Sequence, residues 1–80
     1  DPHADALALR KALAAAGTDP TVDVRLVVQL LAHIDRSVRL EAMVASTRRG
    51  VDLRGFDPDG DEAARAAAVA RIKEALSSRR

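Results

Sequence analysis

The chain has 80 residues, and its 13 Lys and Arg residues against 12 Asp and Glu residues give a formal net charge of +1 at pH 7. This balance excludes a protein that is drawn to nucleic acid or to an anionic membrane by its overall charge, although a local basic patch is still compatible with it. Hydrophobic residues make up 48% of the chain but Phe56 is the only aromatic residue, so we expect one small domain with a thin core.

The chain contains no cysteine, which excludes a disulfide framework and a thiolate zinc site and is typical of a reducing compartment. Its uninterrupted apolar runs are too short for a membrane span or a signal peptide. We therefore expect a soluble, cytoplasmic protein with no membrane partner. Because the first residue is Asp1 rather than methionine, we expect residues 1–80 to be a single small helical domain excised from a larger protein.

The first predicted helix covers residues 3–16. Asp1 and Pro2 suit the N-cap and the first helical position, and Gly17 follows the last residue of the helical pattern. The short link after Gly17 favours an antiparallel arrangement of this helix and the next one. A narrow buried ridge is predicted from apolar residues at intervals of three and four, namely Ala6, Leu9, Leu13 and Ala16.

The longest predicted helix covers residues 20–49, which contain no glycine and no proline after Pro20. Asp19 is a suitable N-cap, and Gly50 is the residue type that most often follows the end of a helix. We therefore predict one continuous central helix.

Two apolar strips run along this predicted central helix, roughly half a turn apart on its surface. The first consists of Val24, Val28, Leu31, Val38, Ala42 and Ala45. The second consists of Leu26, Leu30, Leu40 and Val44, with His33 and Ser37 between its two halves. A helix with two such strips needs cover on both sides, which one short neighbouring helix cannot supply.

An alternative is a break in the central helix near residues 35–37. Polar residues interrupt both strips there, and either Asp35 or Ser37 can cap a new helix that begins at Val38. This alternative would give four helices instead of three.

The last predicted helix covers residues 62–77. Asp61 is its predicted N-cap, after a loop in which Val51, Leu53 and Phe56 are expected to contact the core. The sequence therefore predicts an all-α fold of three helices with a long central one, or of four if that helix is broken.

We expect the two shorter helices to share one side of the central helix and to leave the second strip for a partner. In the alternative arrangement, a compact three-helix bundle buries both strips and needs no partner. The first arrangement predicts a non-catalytic helical module for protein–protein interaction or oligomerisation, either as a homodimer or as a docking or adaptor domain. Its predicted contact residues are Leu26, Leu30, His33, Ser37, Leu40 and Val44.

A cluster of arginines predicts a different function, a small regulatory protein that binds nucleic acid or another anion. The candidate anion contacts are Arg36, Arg39, Arg48, Arg49 and Arg54. The chain has no aromatic platform for stacking bases and no glycine-rich phosphate loop, so nucleic acid is the less favoured partner.

The segment from Asp35 to Glu41 resembles, with a different spacing, the Asp-Ser-Leu site at which acyl carrier proteins attach their prosthetic group. The resemblance implies a carrier-protein-like domain modified on Ser37. In that family the serine directly follows the aspartate after a long loop, whereas here Arg36 lies between Asp35 and Ser37.

No catalytic, metal or cofactor site is predicted. His33, Asp35 and Ser37 are the residue types of a catalytic triad, but side chains two positions apart on a helix point in different directions. The aspartates at 57, 59 and 61 alternate as in an EF-hand, yet Glu62 and Ala68 stand where its glycine and its bidentate glutamate belong. We therefore expect a protein that is not an enzyme.

Overall fold

The structure is a computed structural model that describes residues 2–78, with side chains described from residue 5 onward. Four α-helices form its framework: α1 (Pro2–Ala16), α2 (Val24–Gln29), α3 (Arg36–Arg48) and α4 (Glu62–Ser77). A single 3-10 turn, Leu30–Ala32, extends α2. Residues 2–78 contain no β-strand, so the predicted all-α fold is confirmed.

The prediction of one continuous helix over residues 20–49 is wrong, and the alternative with a break is confirmed. His33 and Asp35 have extended backbones, with ψ values of 147° and 124°. The His33 Nδ1 atom accepts a hydrogen bond from the Asp35 N–H at 3.0 Å, and the Asp35 carboxylate accepts one from the Ser37 N–H at 2.8 Å. These local hydrogen bonds satisfy backbone groups that a continuous helix would otherwise pair.

The beginning of the predicted central helix is also wrong. Asp19 accepts hydrogen bonds from the backbone N–H and the hydroxyl of Thr21, and so forms a turn instead of a helix cap. Asp23 is the cap of α2 and accepts a hydrogen bond from the Arg25 N–H at 2.9 Å.

The other predicted boundaries are close to those observed. Helix α1 begins one residue earlier than predicted, although the proposed cap Asp1 lies outside the described residues. Helix α4 has the predicted bounds, and the Asp61 carboxylate accepts a hydrogen bond from the Ala64 N–H at 2.7 Å. In the preceding loop, Val51 and Phe56 are buried as expected and Leu53 is partly buried against the core.

The packing of the helices differs from the predicted arrangement. Helix α1 lies against α3, whereas α4 lies against α2 and the 3-10 turn. The short link therefore does not make α2 the main neighbour of α1, contrary to the prediction. The core nevertheless contains most of the first predicted strip, since Val28, Leu31, Val38, Ala42 and Ala45 are all buried.

No helix within residues 2–78 combines the length and the hydrophobicity needed to cross a membrane.

Candidate interaction surfaces

The six predicted contact residues are distributed over two helices and the turn between them. Leu26 belongs to α2 and Leu30 to the 3-10 turn that follows it, while Ser37, Leu40 and Val44 belong to α3. His33 lies in the connection between them. Because no continuous helix joins these residues, helical spacing no longer places all six on one face.

Leu26 and Leu30 lie at an apolar groove between α1 and α2, which we call the α1–α2 groove. Its volume is about 210 Å³. The side chain of Leu26 is 64% exposed, whereas that of Leu30 is partly buried against the core. The groove is lined entirely by apolar residues: Ala12, Leu13, Ala16, Val22, Leu26, Val27 and Leu30.

Leu40 and Val44 lie on the outer face of α3, one turn apart. They remain 36% and 46% exposed because Val38, Ala42 and Ala45 occupy the opposite face of the helix, which is buried. Their exposure is the feature that the sequence predicted for the second strip.

A second concave surface, which the sequence analysis missed, lies between α1 and α3. Its volume is also about 210 Å³, and the side chain of Leu7 is 47% exposed there. We call this surface the α1–α3 face and define it by Leu7, Arg10, Lys11 and Ala14 on α1 and by Glu41 on α3. The signal was present in the sequence, since positions 7, 10, 11 and 14 have the spacing of one helical face.

His33, Asp35 and Ser37 lie close together at the break but do not form a catalytic array. The Ser37 hydroxyl donates a hydrogen bond to the Asp35 carboxylate at 2.5 Å, and this bond is the main reason why the pKa of Asp35 lies below its ordinary value. The His33 Nδ1 atom accepts from the Asp35 backbone N–H, so the recorded hydrogen bonds do not join imidazole to hydroxyl. All of these contacts stabilise the beginning of α3.

Ser37 is the second residue of α3, so it occupies the first turn of a helix, as the serine of a carrier protein does. The connection that precedes α3 consists of only residues 33–35 and is not a long loop. The hydroxyl of Ser37 is also engaged with the carboxylate that caps the helix.

The five arginines that were candidate anion contacts do not form one cluster. Arg36 pairs with Asp59 across 2.6 Å, and this pair lowers the pKa of the Asp59 carboxyl group. Arg39 is only 7% exposed, and its guanidinium donates to the carbonyl oxygens of Pro58, His33 and Ile34 at 2.8, 2.9 and 2.8 Å.

The remaining three candidates lie on two parts of the surface, because Arg48 and Arg49 line one open surface and Arg54 lines another. Arg49 donates to the carbonyl oxygens of Ala16 and Val22 at 3.1 and 2.8 Å. Arg48 is exposed beside Gly17, and Arg54 lines a different, open surface together with Arg71. Most of these arginines therefore stabilise turns and helix ends.

Each aspartate of the EF-hand-like segment has a structural contact. Asp57 accepts from the Asp59 N–H at 2.9 Å, Asp59 pairs with Arg36, and Asp61 caps α4. Within the described part of the chain, no three His, Cys, Asp or Glu side chains are grouped as a metal ion would require.

Comparison of the chain with protein-family models, with curated proteins and with solved structures finds no match.

Proposed function

We propose that this domain is a non-catalytic helical module that binds another protein chain, or a second copy of itself, through apolar side chains. The observation that carries the proposal is the exposure of Leu26 beside the apolar α1–α2 groove, together with that of Leu40 and Val44 on α3. Large exposed apolar side chains beside an apolar groove are typical of a docking site.

The chemistry of the α1–α2 groove favours a helical partner with apolar anchors. Its lining offers no charged side chain, and a groove between two helices accepts side chains spaced three and four residues apart. The exposed face of α3 presents leucine and valine at the positions where a helix that reads nucleic acid would carry polar side chains. Protein binding is therefore favoured over anion binding, and the absence of cysteine leads us to propose the cytoplasm as the compartment.

Light scattering over a series of protein concentrations, combined with binding of a hydrophobic dye, tests the proposal. We expect self-association at high micromolar concentration or dye binding by the monomer, and Leu26→Ser should reduce the dye binding. Ala70→Ser on the exposed side of α4 is the matched control and should leave the signal unchanged. A monomer that binds no dye would refute the proposal.

A further inference from the structure

The two sides of the α1–α3 face have opposite charges. Arg10 and Lys11 are exposed on the α1 side, and Glu41 is half-buried on the α3 side. The only salt bridge within the described residues joins Arg36 to Asp59, so Glu41 does not pair with either base across the concave surface. The face therefore presents basic and acidic side chains that form no salt bridge with each other.

Apolar side chains lie between and beside these charges. Leu7 and Ala14 contribute the apolar part of the concave surface. Val44 is three residues after Glu41, so it extends the same side of α3 by one turn and is also exposed. An apolar centre with a charged rim is the usual anatomy of a protein interface.

The two helices run side by side with their carboxyl ends together. Gly17, directly after α1, lies against α3, because a Cβ atom added there would be 3.3 Å from the Ala45 Cα atom and 3.3 Å from the Arg48 Cδ atom. The Arg49 guanidinium also binds the carbonyl oxygen of Ala16. The concave surface therefore follows the common direction of α1 and α3, and its basic and acidic sides face each other at the same level.

We propose that the α1–α3 face is the contact surface of a homodimer whose two-fold axis lies along the direction of α1 and α3. A rotation of 180° about that axis places α1 of one copy over α3 of the other, at the same level along the axis. Arg10 and Lys11 of each copy then meet Glu41 of the other, and Ala14 of each copy lies against Val44 of the other. A two-fold axis across the helices would instead bring like charges together.

Charge complementarity favours a second copy of the chain as the partner that binds the α1–α3 face. A foreign helix would need an acidic edge and a basic edge in the correct order, whereas a second copy supplies both by symmetry. This inference rests on the proposed function, since it identifies one partner of an interaction module, and it places the contact between two copies on the α1–α3 face, apart from the α1–α2 groove.

The test is a charge-exchange experiment in which dimer dissociation is measured by analytical ultracentrifugation at low salt. Glu41→Lys makes both sides of the face basic, and the double variant Arg10→Glu/Lys11→Glu makes both sides acidic. The dimer of each variant alone should have a dissociation constant about tenfold or more above that of the native dimer. The reason is that both attractive charge contacts between the copies are replaced by repulsive ones. An equimolar mixture of the two variants should form a heterodimer. Glu74→Lys and Arg71→Glu, which change the same charges on α4, are the controls and should dimerise as the native chain does.

Three results would overturn the inference: a native chain that is monomeric at high micromolar concentration, a Glu41→Lys variant that dimerises normally, or a mixture that stays monomeric. Circular dichroism of each variant shows whether it retains its helices, and the mixture remains informative because both components must fold to pair. A monomer that still binds the hydrophobic dye would refute the homodimer and leave the proposed function in place. A monomer that binds no dye would refute both.

Discussion

The guanidinium of Arg39 and the backbone carbonyl of His33 form a hydrogen bond 2.9 Å long, which fixes the connection between the 3-10 turn and α3. The same side chain also binds the carbonyl oxygens of Ile34 and Pro58, so one buried arginine joins this connection to the loop before α4. Hydrogen bonds from a charged donor are stronger than those between neutral groups.

Replacement of Arg39 should therefore be strongly destabilising. We expect Arg39→Ala to lower the free energy of unfolding by about 3 kcal/mol, because three carbonyl groups lose their donor. Arg39→Lys retains the charge but not the planar geometry of the guanidinium, and should recover only part of the loss. Urea denaturation followed by circular dichroism measures both values. A loss below about 1 kcal/mol for Arg39→Ala would contradict the role assigned to these hydrogen bonds.

Replacement of Ser46 should increase the stability of the fold. Its side chain is fully buried within α3, and its hydroxyl oxygen has no hydrogen-bond partner among the side chains and backbone that the structure describes. Ser46→Ala removes the unsatisfied group and improves helix propensity, so we expect the free energy of unfolding to rise by about 1 kcal/mol. Thermal denaturation checks this, with Thr47→Ala at an exposed position of the same helix as the control. A decrease in stability would show that the hydroxyl has a partner, such as a buried water.

Asp35 should be essential for the break between the 3-10 turn and α3. Its carboxylate accepts hydrogen bonds from the backbone N–H groups of Ser37 and Val38 and from the Ser37 hydroxyl. Asp35→Ala removes all three bonds and should destabilise the domain, whereas Asp35→Asn keeps an acceptor and should have a smaller effect. Amide hydrogen exchange in the first turn of α3 reports the effect directly. Exchange rates in Asp35→Ala equal to those in the native chain would show that the cap contributes little.

Acid should destabilise the domain through its aspartates. The Thr21 hydroxyl, the Ser37 hydroxyl and the Arg36 guanidinium lower the pKa values of Asp19, Asp35 and Asp59, respectively, below the ordinary 3.8. A carboxyl group whose pKa is lower in the folded state than in the unfolded state stabilises the fold at pH values above its unfolded-state pKa. This stabilisation is lost as the pH falls through the folded-state pKa. We therefore expect the midpoint of urea denaturation to be constant from neutral pH to about pH 5 and to fall below pH 4.

The variant Ser37→Ala provides the control for the acid effect. It removes the main cause of the lowered pKa of Asp35, so it should reduce the loss of stability between pH 4 and pH 2. An unchanged pH profile would contradict the assignment of this part of the acid sensitivity to Asp35.

The bounds of α1 and α4 could be predicted because the residues that begin and end them are close in sequence to the helices themselves. Asp61 and the turn before it indicate the beginning of α4, and Gly17 marks the end of α1. The break at residues 33–35 was harder to predict, because polar residues inside a helix lower its stability only slightly. The competing hydrogen bonds of His33 and Asp35 depend on a local backbone geometry that the sequence does not show.

The contacts of the arginines could not have been predicted from sequence. Arg39 meets Pro58 only because the chain folds back over 19 positions, and Arg36 meets Asp59 in the same way. Helical spacing alone predicts that Leu40 and Val44 share one face of α3, whereas their exposure depends on how the other helices pack. The charged sides of the α1–α3 face come from two different helices, so their juxtaposition required the packing.

The two anchoring arginines of α3 have a consequence for recognition. Arg39 near its beginning and Arg49 directly after its end each hold carbonyl groups of neighbouring connections. The helix that presents Leu40, Glu41 and Val44 is therefore preorganised, and an incoming chain loses little conformational entropy in ordering it. Loosening either anchor should shorten the residence time of a complex even though neither arginine lies on the contact surface.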